Sequence, residues 1–475
     1  MKNNNKKLGL GLLMALTISS MIGGGIFNSP TDLISVANPQ AALIAWGISG
    51  IGVVCLAFVF KLLADKRPQL QGGIYSHAKE GFGDFIGFNS AWGYWISGIF
   101  GNIAFFTLMI KTLNSLLGTE YALSPLATFI LASVILWGIV YFQTRGVREV
   151  GIINAMVTLA KLLPLALVVI FSLFVFDPSI FAVENWKTIL ASSGDQMTYA
   201  SLSAQINGAL GVILWCFTGM EASSVMTEKA KSAKVVGIAT VSSIIVTLVI
   251  YIGISMLAMG VLSPVELANS TTPLADVLSQ TAVGPFGAVI VKVGLIVSTL
   301  GALISWIMLA AQIPNVAAKE GVMPKIFSKE TKNGVAIYSL IITNIIVQLG
   351  LFVLLTDTLQ NMYTIAILLS TTCILIPYFL SSLYALKVCK KDNLKAIHWV
   401  YTIVAVIYSM YVIVFVGLIY LAASFILYAI GMFVFLLAKK ENNQPLTTFE
   451  KYGVATVLTI GIIMIVLLAT GVITL

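Results

Sequence analysis

The stretch Ser20-Met21-Ile22-Gly23-Gly24-Gly25-Ile26-Phe27 lies about halfway along the first long apolar block of the chain, residues 9–37. Glycine costs a helix interior about 1 kcal/mol relative to alanine, so three in a row are a poor way to build one. In hydrocarbon every backbone N–H and C=O needs a partner, and an interrupted helix is tolerated only where it lines a cavity or is buried in protein. Gly23-Gly24-Gly25, with Pro30 close behind, therefore predicts a break in a membrane helix. A second break is expected at Trp215-Cys216-Phe217-Thr218-Gly219-Met220-Glu221-Ala222-Ser223-Ser224, where a glycine stands two residues before a glutamate.

That these are membrane helices follows from composition. Of 475 residues, 59% are hydrophobic and only 10% charged, whereas a soluble chain carries about a quarter charged residues. The apolar residues fall in blocks of about 20, the length that crosses a bilayer as a helix, and not in the short alternating segments of a barrel. Thirteen spans are expected, near 9–37, 40–64, 84–117, 123–143, 149–176, 203–227, 235–262, 283–315, 335–356, 360–386, 398–417, 420–438 and 452–474. The basic start with its apolar run is read as a retained first helix, because no small-residue cleavage site follows.

Loop charges test this count. Of the 27 Lys and Arg, all but Lys111, Lys161, Lys187 and Lys292 fall in, or at the edges of, alternate connections beginning with the N-terminus. That pattern places the N-terminus in the cytoplasm and Leu475 outside, with the net charge of +8 as a membrane-orienting feature and no nucleic-acid partner implied. The loop from Asp65 to Gly83 is long and polar, and Ile74 to Lys79 can form a short surface helix. Pro314 to Gly321 reads as a similar loop after span eight. The four cysteines have no spacing suited to a disulfide framework or zinc. The two histidines, His77 and His398, are far apart and offer no nucleophile–base set, so an enzyme is not expected, nor is any cofactor or metal.

Spans one and six are five apart, the spacing expected of inverted repeats, and interrupted helices at corresponding positions point to a transporter site. The domains expected are a cytoplasmic N-terminus 1–8, a first five-helix repeat 9–176, an extracellular loop 177–202, a second repeat 203–391 and three C-terminal helices 392–475. Freed amides at the first break can bind a carboxylate, and freed carbonyls at the second can bind an ammonium, so a ligand-sized hollow between them would receive an amino-acid backbone. The competing reading is a small-residue packing face between helices. The second break with its glutamate weighs against it.

At these residues the chain resembles the amino acid–polyamine–organocation transporter superfamily, in its basic amino acid antiporter branch. The resemblance rests on Ser20 to Phe27, Trp215 to Ser224, and Ser298 to Phe327 with Ala317-Ala318-Lys319-Glu320-Gly321. Gly72-Gly73-Ile74-Tyr75, Gly81-Phe82-Gly83-Asp84-Phe85-Ile86-Gly87-Phe88 and Ala91-Trp92-Gly93-Tyr94-Trp95-Ile96-Ser97 are similar to bacterial arginine/ornithine antiporters. The likeness covers almost the whole chain. It implies an all-α polytopic fold with discontinuous helices 1 and 6, and an exchanger with a central site between spans 1, 3, 6, 8 and 10. It further implies carboxylate binding at Ile22, Gly23, Gly24 and Gly25. Substrate contacts are implied at Trp215, Cys216, Thr218 and Gly219 of span six, at Ser97 and Asn102 of span three, and at Trp306 of span eight. Tyr94 matches a gate tyrosine, Glu221 a glutamate linked to gating, and Lys161 a lysine that occupies the space of a sodium ion in sodium-independent members. The thirteenth span departs from the commoner twelve and lies outside the repeats.

The side chains carry their own chemistry. The face of Trp306 can hold a guanidinium, ammonium or imidazolium group, worth about 2 kcal/mol when desolvated; the alternative is an interfacial anchor. Glu221, a carboxyl at membrane depth, can carry a proton or tie the broken helix to a neighbour. Lys161 is either a substitute for a cation or a residue that snorkels to the near interface; Lys292 is expected to snorkel, and Lys111 and Asp32 to mark the boundary. Three functions result. The first is exchange of an amino acid that is cationic, or can become so, for its metabolic product: arginine for ornithine first, histidine for histamine or lysine for cadaverine behind it. Such exchange can move charge, worth about 2.3 kcal/mol per charge per 100 mV. The second is a proton-coupled uptake permease, and the third, an enzyme, lacks residues. The partners expected are small-molecule amino-acid and amine substrates and the lipid bilayer, in the cell membrane, with the oligomeric state open between monomer and homodimer.

Overall fold

The structure, a computed structural model, describes residues 7–473 apart from 71, 119, 183–187, 191–195, 199–200, 356–358 and 417. Twelve helices among the described residues are long and apolar enough to cross a membrane, and a thirteenth apolar helix, Leu202–Phe217, is shorter. These are the thirteen expected spans: span six falls short because it is interrupted, resuming at Ala222–Val225. Span one is likewise two half-helices, Leu10–Met21 and Gly25–Val36. The only strands among the described residues are Thr188–Leu190 and Gln196–Thr198, a short antiparallel pair in the connection before span six.

Local signals set many helix starts. Asn38, Ser124, Ser232 and Thr447 cap spans two, four, seven and thirteen by accepting from an amide three residues on, the usual service of short polar side chains at orphan N–H groups. Thr447 and Glu450 form a reciprocal capping box, and Pro39 and Pro125 occupy first-turn positions where their missing N–H costs nothing.

Span three (Asp84–Leu117) packs along span eight (Gly284–Lys319) and span ten (Leu359–Lys391), while span one lies against span five (Val147–Val175), span seven (Ala233–Ala258) and span eight. The close approaches depend on glycine. A Cβ on Gly294 would stand 2.4 Å from Pro164, and one on Gly301 2.5 Å from Val157, so spans five and eight meet nearly backbone to backbone.

One expectation is corrected. Pro314 to Lys319 do not form a separate surface segment; span eight continues as helix through Pro314 to Lys319 and is followed by a 3-10 turn, Lys325–Ser328. Pro314 is accommodated inside a helix buried against its neighbours, where other groups can satisfy what the ring leaves free. Short helices also lie at Ile74–Phe82, between spans two and three, and at Pro264–Asn269 and Pro273–Ser279, between spans seven and eight. By the parity of the spans these lie on opposite faces. The lysines of the basic face are widely paired: Lys319 bridges Glu228 at 2.7 Å and Glu330 at 2.9 Å, and Arg67 grips Asp392 through two nitrogens at 2.8 Å.

Candidate functional site

At the first break, the first half-helix ends in carbonyls that no helical amide can reach. Each has a donor from elsewhere. The Lys161 ammonium, fully buried on span five, donates to Ser19 O at 2.9 Å and Ile22 O at 2.5 Å. Trp306 Nε1 donates to Ser20 O at 3.0 Å, Gly23 N–H to Met21 O at 2.8 Å, and Ser298 Oγ to Ile22 O and Gly23 O at 3.1 and 3.0 Å. Lys161 therefore does not snorkel; the interrupted helix holds it at depth. A buried ammonium is tolerated only when paired with acceptors, and here the partners are helix-end carbonyls carrying the negative end of the dipole.

The amides on the other side of the break are treated differently. No described residue accepts from the N–H groups of Gly24, Gly25 or Ile26, which open the second half-helix. Gly25 lines a small cavity together with Trp215 and Thr218 of span six and Trp306 of span eight, all four expected from the sequence. The polarity is that of an anion site at a helix N-terminus.

The other anticipated residues take distinct places. Ile22 is consumed in capping. Gly23 and Gly24 face span three: Cβ atoms there would come within 2.6 Å of Phe105 and 2.0 Å of Leu108. Cys216 Sγ lies 3.6 Å from where a Gly25 Cβ would be. Gly219, at φ +103°, makes the turn in span six, and its carbonyl accepts from Ser20 Oγ at 2.9 Å, linking the two breaks. Ser97 does not reach the cavity; its hydroxyl is 3.1 Å from that of Ser370, which does. Asn102 is buried with both side-chain polar atoms unpartnered, one residue past the lining residue Gly101. Such a pair of orphaned buried groups is costly unless a ligand completes it.

Toward the basic face, the ring of Tyr94 stacks on Trp306 at 5.9 Å. Glu221, also fully buried, accepts a hydrogen bond from Tyr378 of span ten through Oε2 and lies beside the Tyr94 hydroxyl. Tyr378 was not anticipated, nor were Ser20, Met21, Gly101, Phe105 and Ser370 of the cavity wall. Helical spacing could have found Phe105, which falls on the same face of span three as Gly98, Gly101 and Asn102. Nothing local marks Tyr378.

The expected ligand-sized hollow is not met. The cavity holds about 10 Å³, room for about one water. Phe105 and Trp215, with ring centroids 6.0 Å apart, close it on one side, and Trp306 closes it on the other. The aromatic walls must part before an amino acid can occupy it.

Two discontinuous spans side by side, one with capped carbonyls and open amides, define a secondary transporter built on broken helices. Residues 8–419 match the family described as amino acid permease, and the chain belongs to that family, within the amino acid–polyamine–organocation superfamily. It is 38% identical to an arginine/ornithine antiporter of Pseudomonas aeruginosa, over 94% of each chain. It is 34% identical to an arginine/ornithine antiporter of Latilactobacillus sakei, over 97% of this chain and 96% of the other. A putative amino-acid transporter of Clostridium perfringens is 32% identical over 98% of this chain and 99% of its own length.

Proposed function

We propose that the protein exchanges a cationic amino acid for its metabolic product across the cell membrane, with arginine and ornithine as the pair. The observation that carries this reading is the asymmetry at the first break: every released carbonyl from Ser19 to Gly23 has a donor, and the amides of Gly24, Gly25 and Ile26 have no acceptor. A fold that satisfies one set and leaves the other open beside a cavity is prepared for a carboxylate. The names of the relatives supply the pair.

In this reading the substrate carboxylate sits on the amides of Gly24 to Ile26. Its ammonium meets the carbonyls of Cys216 and Thr218, which accept no backbone hydrogen bond, and its side chain lies along Trp306 toward Asn102. Trp215 and Phe105 close one side of the cavity; Tyr94, Glu221 and Tyr378 close the other. Lys161 supplies the positive charge at the broken helix, so that exchange needs no sodium. Residues 9–176 and 203–391 act as inverted repeats that rock about the site, with the basic face and the N-terminus in the cytoplasm and the C-terminus outside. The placement of short helices after spans two and seven, on opposite faces, favours that inversion.

The test is countersubstrate dependence. Purified protein in liposomes preloaded with ornithine is expected to accumulate labelled arginine rapidly, and empty liposomes only slowly. Equal entry into both would replace exchange by a proton-coupled permease.

A further inference from the structure

Span three has two working faces. Gly101 and Phe105 look into the cavity at the breaks, while Trp95, Ile99 and Ile103 form the floor of a groove of about 590 Å³ on the opposite side. Span nine (Ile337–Leu355) and span twelve (Tyr420–Glu441) form the groove's sides, with Ile346 on one and Val434 and Leu437 on the other. Ile346 and Leu437 are exposed. Among the described residues no polar side-chain atom faces the groove, because its two tryptophans spend their N–H groups elsewhere. Trp95 Nε1 donates to Thr343 Oγ1 at 2.7 Å, and Trp92 Nε1 to Leu427 O at 3.0 Å.

The groove has two unlike ends. At the depth of the breaks it is sealed by Ile103 against Gly350, where an added Cβ would stand 2.2 Å from Ile103 Cδ1. Toward the basic face it ends at the 3-10 turn Lys325–Ser328, with Ile326 and Phe327. From Trp92 to Ile103 the helix rises about 16 Å, close to half of a hydrocarbon core of roughly 30 Å. The groove is therefore one leaflet long. Two lysines stand at its outer end. Lys440 is one turn beyond Leu437 on span twelve, and Lys329 lies 5.0 Å from the ring centroid of Tyr338, one turn before Ile342 on span nine. Among the described residues no carboxylate comes within ion-pair distance of either lysine. The acids beside them in sequence are engaged: Glu441 Oε2 accepts from the Lys325 amide at 2.7 Å, and Glu330 binds Lys229 and Lys319, each at 2.9 Å.

We infer that this groove binds one anionic phospholipid of the leaflet on the basic face, with an acyl chain along span three and the phosphate at Lys329 and Lys440. The chemistry is matched at both ends. A wall of carbon one leaflet long suits an acyl chain, and unpaired lysines at the membrane surface attract an anionic headgroup. A second copy of this chain fits less well, since a twofold contact would set the same concave strip against itself and leave the hollow unfilled. The bound chain packs on Ile99 and Ile103, restoring contacts that an empty groove forgoes, and so braces span three from behind Gly101 and Phe105. The site itself rests on the membrane fold; its effect on exchange rests on the function proposed above.

The experiment titrates the full-length protein, stripped of lipid in detergent, with phosphatidylglycerol or with phosphatidylcholine of the same acyl chains, and counts bound lipid by native mass spectrometry. Wild type is expected to retain one phosphatidylglycerol about tenfold more tightly than phosphatidylcholine. The double variant Lys329→Gln with Lys440→Gln should bind both lipids alike, at the phosphatidylcholine level. Ile346→Trp fills the groove and should lose both; if it does not fold, as judged by melting temperature, Leu349→Trp takes its place. Equal affinity of wild type for the two lipids, a preference that survives loss of both lysines, or undiminished binding in the filled variant overturns the assignment. So does a filled variant that disperses a dimer while keeping its lipid, because the groove would then be covered by a second copy. Arginine/ornithine exchange is measured in liposomes of phosphatidylcholine with and without phosphatidylglycerol. Wild type should run several-fold faster with phosphatidylglycerol and the double variant should not; equal wild-type rates would overturn the bracing of span three. A wild type that binds lipid as expected and exchanges neither amino acid would overturn the proposed function and leave the lipid site standing.

Discussion

Lys161 and Ile22, 139 positions apart in sequence, are joined by a hydrogen bond in which the ammonium of one intact span caps the broken end of another. The bond satisfies carbonyls that the glycine break would otherwise leave bare in hydrocarbon; in the exchange proposed above, the same side chain stands in for a bound cation.

Lys161→Met should therefore do more than remove a charge. Ser19 O loses its donor while Ile22 O keeps Ser298, at about 1–3 kcal/mol for a buried group left unsatisfied. We expect exchange to fall by about tenfold or more and the melting temperature in detergent to drop. External sodium or lithium should restore part of the activity by occupying the vacated space. Wild-type exchange in this variant would mean that the ammonium neither caps nor substitutes for anything that matters to transport.

Gly25→Ala tests the open amides. The added methyl would sit 3.1 Å from Trp215 Cδ1 and Nε1, inside the cavity wall. Folding should survive, since Trp215 can shift by a few tenths of an ångström, but the anion site is narrowed. Substrate affinity is expected to fall at least about tenfold, which is about 1.4 kcal/mol. Gly24→Ala is a different case: its methyl would lie 2.0 Å from Leu108, and poor expression is expected. A Gly25→Ala protein with unaltered affinity would move the carboxylate site elsewhere.

Trp306 has two attachments, its indole N–H on Ser20 O and its ring on Tyr94. Trp306→Leu should cost a cationic substrate more than a neutral one, by about 2 kcal/mol or some thirtyfold in Kd if the ring face holds the cation. Trp306→Phe keeps a face and loses the bond to Ser20, so it should retain most of the preference for arginine over citrulline while lowering stability. Binding isotherms for both ligands decide it; parallel losses would reduce Trp306 to a wall.

Glu221 and Tyr378 predict a shared effect on pH dependence. Glu221→Gln keeps an acceptor for the Tyr378 hydroxyl and removes the titrating group, so the pH profile of exchange should flatten while the protein stays folded. Tyr378→Phe removes the bond and leaves the carboxyl, shifting the profile without abolishing it. Identical profiles in wild type and both variants would make the pair a structural tie between spans six and ten.

His77 offers a stability test outside the spans. It lies on the helix Ile74–Phe82, 2% exposed, its Nδ1 3.3 Å from Ser381 Oγ and its ring stacked on Tyr384. Burial pushes it from the ordinary 6.5 down to about 3. The unfolded chain thus takes up a proton near pH 6.5 that the folded chain refuses until about pH 3. The stability this residue contributes is complete above pH 6.5 and is lost as the pH falls toward 3, by at most about 1.4 kcal/mol per pH unit. His77→Gln should flatten the decline in melting temperature between pH 7.5 and 5.5. An unchanged decline would assign the acid sensitivity to other groups.

The sequence by itself determined the spans, their alternation and the position of both breaks. Each of these is a local property: an apolar run long enough for the bilayer, basic residues at alternate connections, and glycines where a helix in hydrocarbon has no other reason to contain them. Gly25, Trp215 and Thr218 were legible for the same reason, because they stand at or near a break; Trp306, on the uninterrupted span eight, was reached through the family resemblance. Only the tertiary structure decided what the breaks do. Whether Lys161 snorkels or caps, whether Glu221 has a partner, and which residues besides the glycines wall the cavity depend on side chains brought together from spans more than a hundred residues apart. The cavity volume depends on the rotamers of Phe105, Trp215 and Trp306 together. Span eight runs on through Pro314 because its neighbours, and not its own residues, supply the packing. Hydrocarbon fixes where a chain must be helical, one segment at a time; it leaves to packing which buried donor meets which released acceptor.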